Sequence, residues 1–164
     1  MAPPALAQQP QRIVLAIGLP GSGKSTWFRS QGISPLATDH LRLLLADDED
    51  EQGFQNQVFH TLRSLIETRL EIQRPITHVD ATNLVIESRA PFFEIAKRTN
   101  SLMEAVYFDV PLDICLERNR ARQRQVPEHI IQEMSAALQP PSFEEGFHRI
   151  VTINANGQTL SDRT

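Results

Sequence analysis

One cysteine, Cys115, is the only thiol in these 164 residues. Its solitude excludes an internal disulfide framework and any metal centre built from a cysteine cluster, and it agrees with a reducing compartment. No apolar run approaches the roughly 20 residues that a membrane-spanning helix needs, so no membrane partner is expected. The opening "MAPPALAQQPQ" lacks the basic and apolar regions of a secretory signal. It reads as a frayed, Pro-rich tail over residues 1–11, and cytoplasm is the expected location. His40, His60, His78, His129 and His148 show no metal-ligand spacing. Basic excess is missing too: 16 Lys and Arg against 20 Asp and Glu give a formal charge of −4. That argues against broad, sequence-independent nucleic-acid binding, while a site touching one or two phosphates stays open.

The composition that remains, 40% hydrophobic and 22% charged, is that of an ordinary globular chain long enough for one cored domain. Five short runs rich in Val, Ile and other apolar residues read as strands: "RIVLAIG" (12–18), "SPLAT" (34–38), "ITHVDAT" (76–82), "MEAVYFDV" (103–110) and "RIVTIN" (149–154). Helical stretches alternate with them. Phe54, Val58, Leu62, Leu65, Ile66 and Leu70 follow a 3.6-residue period, and "PEHIIQEMSAAL" opens on Pro127 with Ile130, Met134 and Leu138 on one stripe. "VIESRAPFFEIAKR" is also helical in pattern, and Pro91 predicts that this helix starts late or is kinked. The expected fold is α/β: three layers, a parallel sheet of about five strands with helices on both faces. Residues 12–154 form the expected domain, and "ANGQTLSDRT" (155–164) reads as a turn and a tail.

The stretch "GLPGSGKST" follows the first strand and precedes a helix. Gly18, Gly23, Lys24 and Ser25 satisfy Gly-x-x-x-x-Gly-Lys-Ser/Thr, a loop whose backbone N–H groups cradle phosphates. Gly18, Pro20, Gly21, Ser22, Gly23, Lys24, Ser25 and Thr26 are therefore the expected nucleotide-binding residues, and the motif makes the expected three-layer fold that of a P-loop NTPase. Lys24 would reach the β- and γ-phosphates and the Ser25 hydroxyl would ligate Mg²⁺. The expected ligands are ATP and Mg²⁺, since no Asn-Lys-x-Asp guanine-reading motif is present.

Other strand ends supply the remaining chemistry, as parallel α/β sheets require. In "TDHLR", Asp39 and Arg42 stand three apart, so a carboxylate that takes a hydroxyl proton sits beside a guanidinium that holds an acceptor anion. The same residues also suit a helix N-cap and a solvated helix face. In "VDATN", Asp80 occupies the Walker B position for Mg²⁺, with Thr82 and Asn83 as candidate substrate contacts; these types also suit turns. "LERNRARQRQ" holds Arg118, Arg120, Arg122 and Arg124; at helical spacing Arg118 and Arg122 share a face, suited to an Arg-rich helical lid over the polyphosphate. The acidic run Asp47–Glu51 reads as a solvated loop.

Taken in order, "GLPGSGKST", "TDHLR", "VDATN", "FDVPLDICLERNRAR", "VPEHII" and "PPSFEEGFHRI" resemble the kinase domain of polynucleotide 5′-hydroxyl kinases over residues 12–154. The resemblance implies Asp39 as the general base for a 5′-hydroxyl and Arg42 as a grip on the neighbouring phosphate. It further implies Lys24, Arg118 and Arg122 as catalytic groups on the ATP phosphates, with "PPSFEEGF" near the adenine. Two other readings use the same cradle: a kinase of small hydroxylated metabolites or nucleosides, and a nucleotide-binding switch without a phosphoryl acceptor.

Overall fold

The computed structural model describes residues 9–164; the first eight residues of the expected tail lie outside the described residues. Six strands are present: β1 (Arg12–Ile17), β2 (Leu36–Ala37), β3 (Ile76–Asp80), β4 (Leu102–Phe108), β5 (Arg149–Ile153) and β6 (Thr159–Arg163). They form one sheet in the order β2-β3-β1-β4-β5-β6. The first five run parallel and β6 pairs antiparallel with β5. The helices are α1 (Lys24–Ser30), α2 (Thr38–Ala46), α3 (Gln55–Glu71), α4 (Ile86–Thr99), α5 (Leu112–Arg120) and α6 (Glu128–Ala137).

Successive β1 side chains point to opposite faces, and both faces are buried. Ile13, Leu15 and Ile17 pack into one layer with Leu41 of α2, Val58, Leu62, Ile66 and Leu70 of α3, and Phe92 and Ile95 of α4. Val14 and Ala16 face the other layer, with Phe28, Phe108 and Cys115. The expected three-layer P-loop fold is therefore present. Trp27 packs into that second layer, edge-on to Phe28 and Phe108.

Four details differ from the sequence reading. Residues 155–164 are not a tail: the Asn154 side chain accepts the N–H groups of Asn156 and Gln158, both at 2.9 Å, and turns the chain back into β6. Arg149 then grips Asp162 at 2.8 and 2.6 Å across the hairpin. Second, α4 starts ahead of Pro91, at Ile86, because Gln139 Oε1 accepts the Ile86 N–H at 2.8 Å and the Arg89 side chain anchors the first turn. Third, the α3 period is right at Val58, Leu62, Ile66 and Leu70, whereas Phe54 and Leu65 are exposed. Fourth, the fully buried residue of α6 is Ile131, while Met134 and Leu138 of the expected stripe pack, partly buried, against the second layer.

The strand order decides the site. Because β3 lies between β2 and β1, its carboxyl end, Asp80, falls between the residues that follow β2 and the loop that follows β1.

Candidate active site

The loop between β1 and α1 takes its shape from two left-handed residues, Gly21 (φ 82°) and Gly23 (φ 95°). A Cβ on Gly21 would lie 2.5 Å from the Cys115 carbonyl oxygen, so the loop is packed directly on α5. The Gly18 N–H donates to the Thr82 carbonyl at 3.1 Å, fastening the loop to the chain beyond β3. Lys24 Nζ turns inward and donates to the carbonyls of Gly18 and Leu19, both at 2.9 Å. Burial lowers its pKa from 10.5 to about 8, against the pull of Asp80. Ser22 Oγ is buried and has no partner. An ammonium with no anion to neutralise it and an orphaned hydroxyl are what a polyphosphate cradle holds before its ligand arrives.

Beside the cradle, Ser25 Oγ donates to Asp80 Oδ2 at 2.7 Å. Burial raises the Asp80 pKa, and the Ser25 hydrogen bond and the Lys24 charge draw it back down. A hydroxyl and one carboxylate are hard oxygen donors of the kind Mg²⁺ takes together with phosphate oxygens and water. Ser25 and Asp80 thus fit the metal role read from sequence.

Asp39 sits in the first turn of α2, where it makes no capping hydrogen bond. Its carboxylate instead receives Arg42 Nη1 on Oδ1 at 2.8 Å and Arg124 Nη1 on Oδ2 at 3.2 Å. Asp39 follows β2, which pairs with the end of β3 at Asp80, so it stands at the same edge of the sheet as the Asp80 carboxylate. Arg42 is buried, its Nη2 donates to Gln55 Oε1 at 2.8 Å, and its Nε has no partner.

The arginine segment is not the continuous helix that the spacing predicts. α5 ends at Arg120 because the buried Asn119 side chain binds Val126 twice: Nδ2 to its carbonyl at 2.7 Å and Oδ1 to its N–H at 2.9 Å. Arg122 and Arg124 therefore lie in a loop. Arg118 remains on α5 and spans from the Gly21 carbonyl, at 3.4 Å, to that of Ala155. Arg122 is exposed. Arg120 turns outward to Glu128 at 2.5 and 3.0 Å.

Thr82 contributes its carbonyl to the loop, as above. Asn83 is a correction: it is buried at φ 48°, with Nδ2 donating to the Ala16 carbonyl at 2.8 Å, so its amide holds the end of β1 instead of facing a substrate. Phe147 is core, while Phe143 is exposed beneath the Arg163 guanidinium, 5.5 Å from its ring centre.

Two features escaped the sequence reading. The fully buried Arg89 donates twice to Glu145, at 2.8 and 2.7 Å, and to the Asn83 and Gln139 carbonyls at 2.9 and 3.0 Å. The signal was an arginine on the same face of α4 as Phe92 and Ala96. The acidic run is also more than a solvated loop: Glu49 and Asp50 hold Arg124.

The profile of the family described as AAA domain matches residues 13–141. The chain belongs to that family. Among individual proteins, this AAA-domain chain is 27% identical over 153 residues to the bifunctional polynucleotide phosphatase/kinase of Schizosaccharomyces pombe, covering 87% of this chain and 33% of that protein. It is 24% identical over 136 residues to the L-seryl-tRNA(Sec) kinase of Methanococcus maripaludis, covering 79% and 53%. In structure, a chain of the Pnkp1/Rnl/Hen1 RNA repair complex superposes with TM-score 0.67 at 17% identity, over 84% of this chain and 47% of that one. The chain thus spans a third to about half the length of the curated relatives it matches. A polynucleotide phosphatase/kinase, the class that the motifs resemble, is among the proteins this AAA-domain chain is similar to, beside a kinase of a different acceptor. Among the described residues, no helix is long and apolar enough to cross a membrane.

Proposed function

We propose that the protein is an ATP- and Mg²⁺-dependent phosphotransferase that moves the γ-phosphoryl to a hydroxyl, with a polynucleotide 5′-hydroxyl as acceptor. The observation that carries this reading is Asp39, an exposed carboxylate in the first turn of the helix after β2, the strand beside the one that ends at Asp80, and paired to the buried Arg42. A base must reach the attacking hydroxyl while a cation fixes the acceptor beside it, and these two residues form that couple. Likeness to the polynucleotide phosphatase/kinase supports the acceptor class.

Lys24 leaves its two loop carbonyls for the β- and γ-phosphates. Ser25 and Asp80 would hold a Mg²⁺, which would supply charge neutralisation on the phosphate oxygens. Arg118, tied to the Gly21 carbonyl, and Arg122 from the loop that follows would offset charge that develops on the transferring group. Asp39 takes the hydroxyl proton as the oxygen attacks.

A small hydroxylated acceptor is the second reading. The acidic run Asp47–Glu51 supports it, because five carboxylates near the acceptor base repel a polyanion. The test is transfer of labelled γ-phosphate to a 5′-hydroxyl oligonucleotide, to the same oligonucleotide already 5′-phosphorylated, and to a nucleoside. Transfer confined to the first supports the polynucleotide reading; efficient transfer to the nucleoside alone contradicts it.

A further inference from the structure

The chain that follows α6 is fastened to the chain that follows β3. Gln139 makes three hydrogen bonds there: its N–H donates to the Leu84 carbonyl at 2.9 Å, its carbonyl accepts Arg89 Nη1 at 3.0 Å, and its side-chain oxygen accepts the Ile86 N–H at 2.8 Å. The last bond satisfies a donor that the first turn of α4 leaves open, in a helix whose own N-cap residue, Val85, has no polar side chain. Further on, Glu145 holds the same Arg89 at 2.8 and 2.7 Å and accepts the Ser142 N–H at 3.2 Å. Pro140 and the buried Pro141 stiffen the path between these two anchors. Through the Asn83 and Leu84 carbonyls, at 2.9 and 3.3 Å, Arg89 passes the contact to a stretch that touches the cradle twice: Thr82 at Gly18 and Asn83 at Ala16.

Helix α5, its loop and α6 form a hairpin that leaves the sheet after β4 and returns past Gln139 to β5. Within it, Asn119 staples the arginine loop to Val126, and α5 rests on the cradle through Arg118 and the Cys115 carbonyl. The hairpin therefore has two roots. One is continuous with β4; the other is the set of contacts at Gln139, just beyond the extended Leu138 (φ −59°, ψ 125°) that ends α6.

We propose that Gln139 is a positioning residue: it fixes the returning end of the arginine hairpin to the chain after Asp80, so that Arg118, Arg122 and the Ser25–Asp80 pair keep one mutual arrangement around the nucleotide. The inference rests on the phosphotransferase reading, in which those arginines meet the ATP phosphates. Without the side-chain bond the hairpin keeps its core contact at Ile131 and gains freedom to lift from the cradle. Burial separates the two anchors: Arg89 and Glu145 are 0% and 5% exposed at their side chains, whereas Gln139 is exposed. Gln139 can therefore be altered without opening the core. Its side-chain bond uses the amide oxygen alone, so a carboxylate serves as well at this place, with the added attraction of the positive end of α4. Glu is the conservative replacement and Ala the disruptive one.

The experiment compares the unaltered protein with Gln139→Ala and Gln139→Glu. Each is measured for thermal midpoint, ADP affinity by calorimetry with Mg²⁺, the rate of trypsin cleavage after Arg120, Arg122 and Arg124 with ADP and Mg²⁺ bound, and KM for ATP against kcat. Gln139→Ala is expected to weaken ADP binding and raise the KM for ATP by about three- to tenfold, the scale of one hydrogen bond, with kcat changed less. Cleavage in the arginine loop should quicken in step, because the hairpin opens locally more often. Gln139→Glu should restore all three. ADP affinity, KM and cleavage unmoved in Gln139→Ala, whatever its midpoint, reduce the contact to a structural tie and overturn the proposal. A Gln139→Glu variant that behaves like Gln139→Ala overturns it too. If no acceptor is phosphorylated, the phosphotransferase reading fails alone where ADP affinity and cleavage still follow Gln139; the proposal fails with it where they do not.

Discussion

The two sides of the cleft are built from different materials. The nucleotide side is built around packed backbone: Gly21 pressed on the Cys115 carbonyl, the Gly18 N–H on the Thr82 carbonyl, and the buried Asn83 amide pinned to the Ala16 carbonyl. The buried Arg89–Glu145 pair braces the Asn83–Leu84 segment behind it. The acceptor side is held by long charged side chains reaching between loops: Arg124 to Asp39, Glu49 and Asp50, with Arg42 beneath. Rigid geometry suits a ligand whose phosphates keep one shape. Exchangeable ion pairs suit a site that must release its base to an incoming substrate.

The largest effect should come from breaking the brace. Glu145→Ala leaves the fully buried Arg89 without its carboxylate, and urea unfolding is expected to show a loss of about 3–5 kcal/mol. A loss below about 1 kcal/mol, the size of a surface pair, would erase the contrast between the two sides.

Lys24→Met is next. It should cut transfer by about 10²–10³-fold, the scale of removing one group aimed at developing charge. It should also raise the thermal midpoint at pH 7. The folded pKa of about 8 lies below the ordinary 10.5, so the native state resists a proton that the unfolded chain accepts. That cost is complete below pH 8 and fades as pH rises to 10.5; the gain on substitution must fade with it. A midpoint that is lower in the variant at pH 7 contradicts the burial argument.

A subtler effect follows from the same group. Polyphosphate binding restores a partner to Lys24, so nucleotide binding near pH 8.5 should take up about three-quarters of a proton if it returns the group to 10.5. Calorimetry in buffers of different ionisation enthalpy reads this directly, and Lys24→Met should abolish it. The smallest effect is expected at Arg120, which faces Glu128 on the surface away from the cleft residues. Arg120→Ala should leave both the midpoint and the KM for ATP unchanged, whereas Arg118→Ala should raise that KM.

The same division separates what was legible in the sequence from what was not. "GLPGSGKST" announces itself because local glycine conformation and the preceding strand suffice to make the cradle, and Asp80 follows an apolar strand in the same way. Asp39 and Arg42, three residues apart, were equally readable as a pair. Arg124 was not, since its contacts depend on where Asn119 ends α5 and sends the chain. Asn83 was misread because a turn residue that faces a ligand and one that ties down a strand have the same local pattern. β6 was missed because four of its five residues are polar and four are exposed, leaving only the Asn-Gly turn before it as a signal.

The most direct test of the acceptor side is Asp39→Asn, read by two assays on one sample: calorimetric ATP binding and transfer of labelled γ-phosphate to a 5′-hydroxyl oligonucleotide. A carboxylate that takes the hydroxyl proton should cost about 10²–10⁴-fold in transfer when neutralised, with ATP affinity preserved. Transfer at the unaltered rate would show that Asp39 is not the base, and loss of ATP binding together with transfer would show that it belongs to the nucleotide side.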